Sequence, residues 1–231
     1  GGSLPELIIR VCQDMGREFF VIAFKGQADN NAFLSVPHKW VRLGAAGQTI
    51  QTLRDAGINE LVLAGTITRP SLTMLRPDAW TARFFIKTKA YALGDDGLLG
   101  ALINTLENNE GFTIVGADDL LPSLLAKAGV YGQIQPGLED KDNIQAGIRG
   151  AQDLGLHDIG QSVVAQSGHV LVREDIQGTD SLLRKSKNLK SDSSDGVLVK
   201  VKKPGQERRV DLPTIGPETV HAAARSGLRG I

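Results

Sequence analysis

The strongest constraint on this chain is an order that occurs twice: an amphipathic helix stopped by glycine, then a short apolar run. Leu4, Leu7, Ile8, Val11 and Met15 recur at spacings of three and four, with Pro5 at the start and Gly16 at the stop. That spacing predicts a helix over residues 5–15. Residues 19–24 are continuously apolar, the pattern of a strand covered on both faces, and lead into a Gly26-Gln27-Ala28-Asp29 turn. The order then repeats, with a helix over 49–56, Gly57 to end it, and a buried strand over 60–65. Helix before strand, twice, predicts a parallel sheet. A third helix over 96–108, a strand over 112–115 and a short helix over 118–128 extend the series. The fold class is therefore α/β, with a Rossmann-like, doubly wound domain over residues 1–132. Ligands of such sheets lie beyond the carboxyl ends of the strands, where Gly65-Thr66 and Gly116-Ala117 stand.

The apolar pattern breaks over residues 131–143, where Gly132, Pro136 and Gly137 fall among charged residues. This predicts a domain boundary and a second, mixed α+β domain over 133–231. Its elements are a helix over 143–154, a hairpin of 162–166 with 169–173 across Ser167-Gly168, and a half-exposed strand over 197–202. Helices over 181–187 and 218–225 complete it, and residues 185–196 read as a polar loop.

Charge and cysteine content narrow the function. Twenty-six basic residues balance 26 acidic ones, so no broad positive field collects nucleic acid or holds an anionic membrane. The single cysteine, Cys12, has no intramolecular disulfide partner, and no apolar run approaches the ~20 residues of a spanning helix. A cytoplasmic setting is the expectation. The chain begins at Gly1 without a signal-peptide order, and we expect a further strand beyond each end.

Two regions carry candidate chemistry. The Gly1-Gly2-Ser3 turn ahead of the first helix offers N–H groups to an anion, although a plain strand-to-helix turn explains it as well. The denser region holds Lys200, Lys202, Lys203, Gln206, Arg208, Arg209 and Asp211, followed by a Leu212-Pro213-Thr214-Ile215-Gly216-Pro217 turn into the last helix. Cations neutralise a diphosphate while one carboxylate holds a divalent metal against it, which makes Asp211 the candidate centre. The competing roles are a solvated strand face for the lysines and an Asx-turn for Asp211. Thr179 and Asp180 read as N-caps, and the four histidines show no metal-ligand spacing.

Arg209-Val210-Asp211-Leu212-Pro213-Thr214-Ile215-Gly216, preceded by Lys203-Pro204-Gly205-Gln206, closely resembles the signature of the LpxI-type UDP-2,3-diacylglucosamine pyrophosphatases. Gly178-Thr179-Asp180, Asp158-Ile159-Gly160-Gln161, Gly94-Asp95-Asp96 and the segment from Ala64-Gly65 to Arg69-Pro70 resemble its other segments in the same order. The resemblance implies hydrolysis of the diphosphate of UDP-2,3-diacylglucosamine to UMP and 2,3-diacylglucosamine 1-phosphate in lipid A biosynthesis, with Mg2+ as cofactor. It implies Asp211 as catalytic acid and metal ligand. Taken with the glycine turn before the first helix, the strand-end glycine and the cationic cluster, this makes Ser3, Gly65, Thr66, Thr68, Gln161, Thr179, Lys203, Gln206 and Thr214 the expected substrate contacts. The implied partners are that substrate and its lipid product, with at most peripheral membrane contact, and a homodimer is the expected assembly. The alternative is a non-catalytic nucleotide-sugar or acyl-lipid binding protein. Gln177 stands where that family tends to have glutamate, and it is not assigned to the metal.

Overall fold

The computed structural model describes residues 2–29, 33, 35–68, 70–189 and 196–231. The chain divides into two compact units, Gly1–Ala126 with Glu207–Val210, and Lys127–Gln206 with Asp211–Ile231. It is mixed α/β, built from helices and small sheets.

The first unit contains α1 (Leu4–Asp14), β1 (Val21–Phe24), β2 (His38–Val41), α2 (Ala46–Asp55), β3 (Glu60–Leu61), α3 (Leu72–Leu75), α4 (Ala79–Thr88), α5 (Asp95–Asn108), β4 (Thr113–Ile114) and α6 (Ala117–Leu120). All pairing within it is parallel, β1 with β2 and β3 with β4. Among the described residues these are two separate pairs, where one continuous sheet was expected. The predicted strands at 60–65 and 112–115 shrink to two residues each, and Leu61, Val62, Leu63 and Ala64 are only half-buried. With a single hydrogen-bonded neighbour among the described residues, β3 lacks there the second flank that would bury such a run. The helix predicted over 118–128 ends at Leu120, because Pro122 brings no N–H to a continuing helix. The core nonetheless joins both strand pairs. Ile50 and Leu53 of α2, Ile103 and Leu106 of α5, and Phe112 and Ile114 pack together, with Ile22, Leu61, Trp80 and Val210 against them.

The second unit contains α7 (Leu138–Leu156), β5 (Ser162–Gln166), β6 (His169–Arg173), α8 (Gly178–Leu189), β7 (Val197–Lys200) and α9 (Pro217–Arg225). Its antiparallel sheet has the order β6-β5-β7, and Gly230 adds a parallel bridge to Val197. Alternation along the strands sorts the core into two faces. Val163, Ala165, Val197 and Val199 pack with Ala151 and Leu154 of α7, while Val164 and Leu198 pack with Leu182 and Leu183 of α8 and Ala223 of α9. The sheet is thus covered on both sides. That is why β7, expected to be half-exposed, buries Val197, Leu198 and Val199. α8 runs to Leu189 through part of the predicted polar loop, and residues 190–195 of that loop lie outside the described residues. Among the described residues no helix is long and apolar enough to cross a membrane.

Candidate active site

Antiparallel order carries three sequence-distant residues to one end of the second unit's sheet. Gln161 precedes β5, Glu174 follows β6, and Lys200 closes β7 opposite Ser162. Glu174 is buried, and both of its oxygens are engaged. Thr179 Oγ1 donates to Oε1 at 2.7 Å, and the Gln161 N–H donates to Oε2 at 2.8 Å. Lys200 Nζ donates to Thr179 Oγ1 at 3.3 Å and to the Thr214 carbonyl at 3.1 Å. Thr179 therefore lies within the first turn of α8 with its hydroxyl turned to Glu174, rather than capping that helix. A Cβ on Gly160 would sit 3.0 Å from the Glu174 Cβ, so a side chain there would displace this carboxylate. Gln161 Oε1 is shut off from solvent without a hydrogen-bond partner among the described residues, a placement that costs about 1–3 kcal/mol.

The signature turn adjoins this cluster. Gln206 N–H bonds back to the Lys203 carbonyl at 3.2 Å, with Pro204 and Gly205 between them. Gly205 has φ +79°, the left-handed position a type II turn requires. Gln206 Oε1 accepts from the Lys203 N–H at 3.0 Å, and its Nε2 donates to Asp211 Oδ2 at 2.6 Å. Lys203 Nζ pairs with Asp158 Oδ1 at 2.7 Å. Gly155, near the end of α7, lets Lys203 and Pro204 approach: a Cβ there would lie 3.2 Å from Pro204 Cδ and 3.3 Å from Lys203 Cα. Asp211 is half-buried, while Thr214 is exposed and donates its hydroxyl to the Leu212 carbonyl at 3.0 Å.

Between Gln206 and Asp211, the segment Glu207–Val210 belongs to the first unit. Arg209 forks onto Glu107, at 2.5 Å and 3.2 Å, and also bonds Glu207 and the Ile114 carbonyl. Arg208 pairs with the buried Asp118 at 2.6 Å. The Arg209 hydrogen bond holds the Glu107 carboxyl below its usual range, and the two glutamates push the Arg209 guanidinium further up. Of the five cations grouped near Asp211 in the sequence, four have partners other than that carboxylate. Arg208 and Arg209 neutralise acids of the first unit, and Lys200 and Lys203 have protein partners of their own. Sequence proximity to Asp211 misled because Glu107 and Asp118 lie about a hundred positions upstream.

Among the remaining predicted contacts, Ser3 sits exposed at the N-cap of α1 and makes no side-chain capping bond. Gly65, Thr66 and Thr68 follow β3, and Gly65 has φ +91°. The Thr68 N–H donates to Gln27 Oε1 at 2.8 Å, and Gln27 Nε2 returns a bond to the Thr68 carbonyl at 3.1 Å. The loops after β1 and β3 are thereby tied at the carboxyl ends of their strands. Gly1 and Arg69 lie outside the described residues.

Residues 1–124 match the LpxI N-terminal domain, and residues 127–231 match the LpxI C-terminal domain. The chain belongs to the LpxI family. It is 36% identical, over 238 aligned positions, to the UDP-2,3-diacylglucosamine pyrophosphatase LpxI of Caulobacter vibrioides; the alignment covers 100% of this chain and 84% of that protein. Of the sequence-predicted residues, Gln161, Thr179, Lys203, Gln206, Asp211 and Thr214 fall in the second unit, and Ser3, Gly65, Thr66 and Thr68 in the first. Sequence reasoning missed Glu174 and Gln27. Glu174 carried no local signal, being one acid after a strand, whereas Gln27 stood in a recognised glycine turn.

Proposed function

We infer that this chain hydrolyses the diphosphate of UDP-2,3-diacylglucosamine in lipid A biosynthesis, releasing UMP and 2,3-diacylglucosamine 1-phosphate. The observation that carries this reading is 36% identity along the whole chain to an enzyme of that name. The polar cluster around Asp211 supports it. In the reaction, water oxygen bonds to the sugar-side phosphorus, the bond from that phosphorus to the bridging oxygen breaks, and the bridging oxygen leaves with UMP. One proton from the water is released.

The family resemblance implies magnesium, and the donors present suit it. Among the described residues no three His, Cys, Asp or Glu side chains group as a metal site. Mg2+ commonly keeps several waters and binds through one or two carboxylates plus substrate phosphates, so the single Asp211 carboxylate is an adequate protein ligand. When bound, the ion would stabilise the charge that builds on the phosphoryl oxygens. Asp211 is the residue we propose to hold it; among the described residues its side chain is bonded by Gln206 alone, at Oδ2. Gln161, Thr179, Lys203 and Thr214 are proposed substrate contacts in the second unit, and Ser3, Gly65, Thr66 and Thr68 in the first. The proposal extends to a Rossmann-like arrangement of the first unit, for which the parallel pairing speaks, and to a homodimer.

The test is UMP release by Asp211→Ala with magnesium in excess, beside a thermal melt. We expect a folded variant slowed by at least ~10²–10³, since the lost interaction acts on the transition state. Turnover near the parent level would remove Asp211 from the chemistry. A parent protein that binds the nucleotide sugar but releases no UMP would be the non-catalytic binding protein instead.

A further inference from the structure

We infer that Gln206 is a positioning residue, fixing the direction of the Asp211 carboxylate, rather than one of the substrate contacts. The inference rests on the hydrolytic reading above. Gln206 is 3% exposed, which leaves its amide little surface to offer a ligand. Its orientation follows from its neighbours. A backbone N–H only donates, so the Lys203 N–H at 3.0 Å identifies the facing amide atom as the oxygen. The amide nitrogen is thereby directed at Asp211 Oδ2, 2.6 Å away. The turn that holds this amide is closed twice, by the Gln206 N–H on the Lys203 carbonyl and by the side chain on the Lys203 N–H.

Among the described residues, this amide is the one side-chain donor on Asp211. The terminal torsion of an aspartate is broad and two-fold, so without a donor the carboxylate would swing. A neutral amide also orients the group without cancelling its charge, as a lysine or arginine in the same place would. The two arginines nearest in sequence, Arg208 and Arg209, are held by Asp118 and Glu107. Among the described residues Asp211 thus has a neutral partner that sets its direction and no cationic one, which suits a ligand for a cation at a diphosphate.

Two variants separate orientation from folding. Gln206→Met keeps the length and loses both bonds, whereas Gln206→Glu keeps an acceptor for the Lys203 N–H and replaces the donor to Asp211 with a carboxylate oxygen that repels it. Both are expected to fold by thermal melt and to lose about 10–10²-fold in kcat, with KM and the measured substrate Kd within about twofold. Combined with Asp211→Ala, neither should add to the loss that Asp211→Ala produces alone. Crystal structures of the variants should show the Asp211 carboxylate turned from its place. A raised KM at unchanged kcat would make Gln206 a substrate contact and overturn the proposal. So would parental kcat in Gln206→Glu, an unmoved carboxylate, or losses that multiply with those of Asp211→Ala. Should Asp211→Ala itself turn over normally, the hydrolytic reading fails first, whatever Gln206 does.

Discussion

Helices α5 and α7 each carry glycines three residues apart in their interiors, Gly97 and Gly100 in one and Gly147 and Gly150 in the other. The same sequence feature has opposite physical meanings. In α7 a Cβ on Gly147 would lie 2.4 Å from Val199 Cγ2, and one on Gly150 would lie 2.4 Å from Val170 Cγ2. These glycines set how closely the helix approaches β7 and β6. In α5 a Cβ on Gly100 would meet nothing within 4 Å. Gly147 and Gly150 are therefore spacing devices in the second unit, whereas Gly100 is a soft point in the first, although a Cβ on its neighbour Gly97 would lie 3.0 Å from the Leu93 Cβ. The distinction bears on function, because the sheet that α7 touches ends in Glu174, Lys200 and the turn to Asp211.

The largest expected effect comes from Gly147→Ala. The added methyl cannot be placed without moving Val199 or the helix, and overpacking of this kind costs about 1–3 kcal/mol. Calorimetry should show the second unit melting lower, with UMP release falling as the end of β7 shifts. An unchanged melt would mean that α7 slides freely on the sheet and that the comparison is empty.

The first unit relies on polar caps instead. Ala45, at the N-cap of α2, has no side chain to accept a hydrogen bond, and Asp78 supplies the acceptor from the start of α4. One Asp78 oxygen accepts from the Thr81 N–H and hydroxyl at 2.8 Å each, and the other from the Gln48 N–H at 3.3 Å. Burial alone would raise the Asp78 carboxyl, but these hydrogen bonds outweigh it and hold it below the ordinary 3.8. A depressed carboxyl contributes stability that is fully present above the unfolded value and is lost as pH falls through the folded one. Asp78→Ala should therefore cost about 1–2 kcal/mol near neutral pH. Asp78→Asn should flatten the decline in Tm of this unit between about pH 5 and pH 2. A Tm that falls with acid equally in both proteins would assign the decline to other carboxylates.

How far the sequence anticipated this arrangement depended on how local each cause was. The β5–β6 hairpin was legible because Ser167 and Gly168 both take positive φ, 52° and 74°, between two apolar runs. β2 escaped notice since His38-Lys39-Trp40-Val41 is a short, mixed run that pairs, among the described residues, with β1 alone. α4 could have been found from Asp78 and Thr81, the spacing of a cap and its recipient. Within the candidate site, the Pro204-Gly205 turn and Asp211 were readable as chemistry-bearing, because proline and glycine act on their immediate neighbours. The ion pairs of Arg208 and Arg209 were not, because the partners that decide them are distant in sequence and only folding brings them near.

The smallest effect is the most direct check on the comparison of glycines. Gly100 lies within α5 and carries no positive φ, so alanine would fit its backbone conformation without strain. Glycine loses more freedom on folding than alanine, and open space at the Cβ position means that no contact opposes the change. Gly100→Ala should then stabilise the first unit by about 0.4–1 kcal/mol, raising its Tm by roughly 2–6 °C. The gain arises largely in the unfolded chain, so UMP release should be unchanged. Measured beside Gly147→Ala, the two substitutions should move stability in opposite directions. A destabilised Gly100→Ala would mean that α5 meets a surface the described residues do not supply, since none of them lies close enough to resist the methyl.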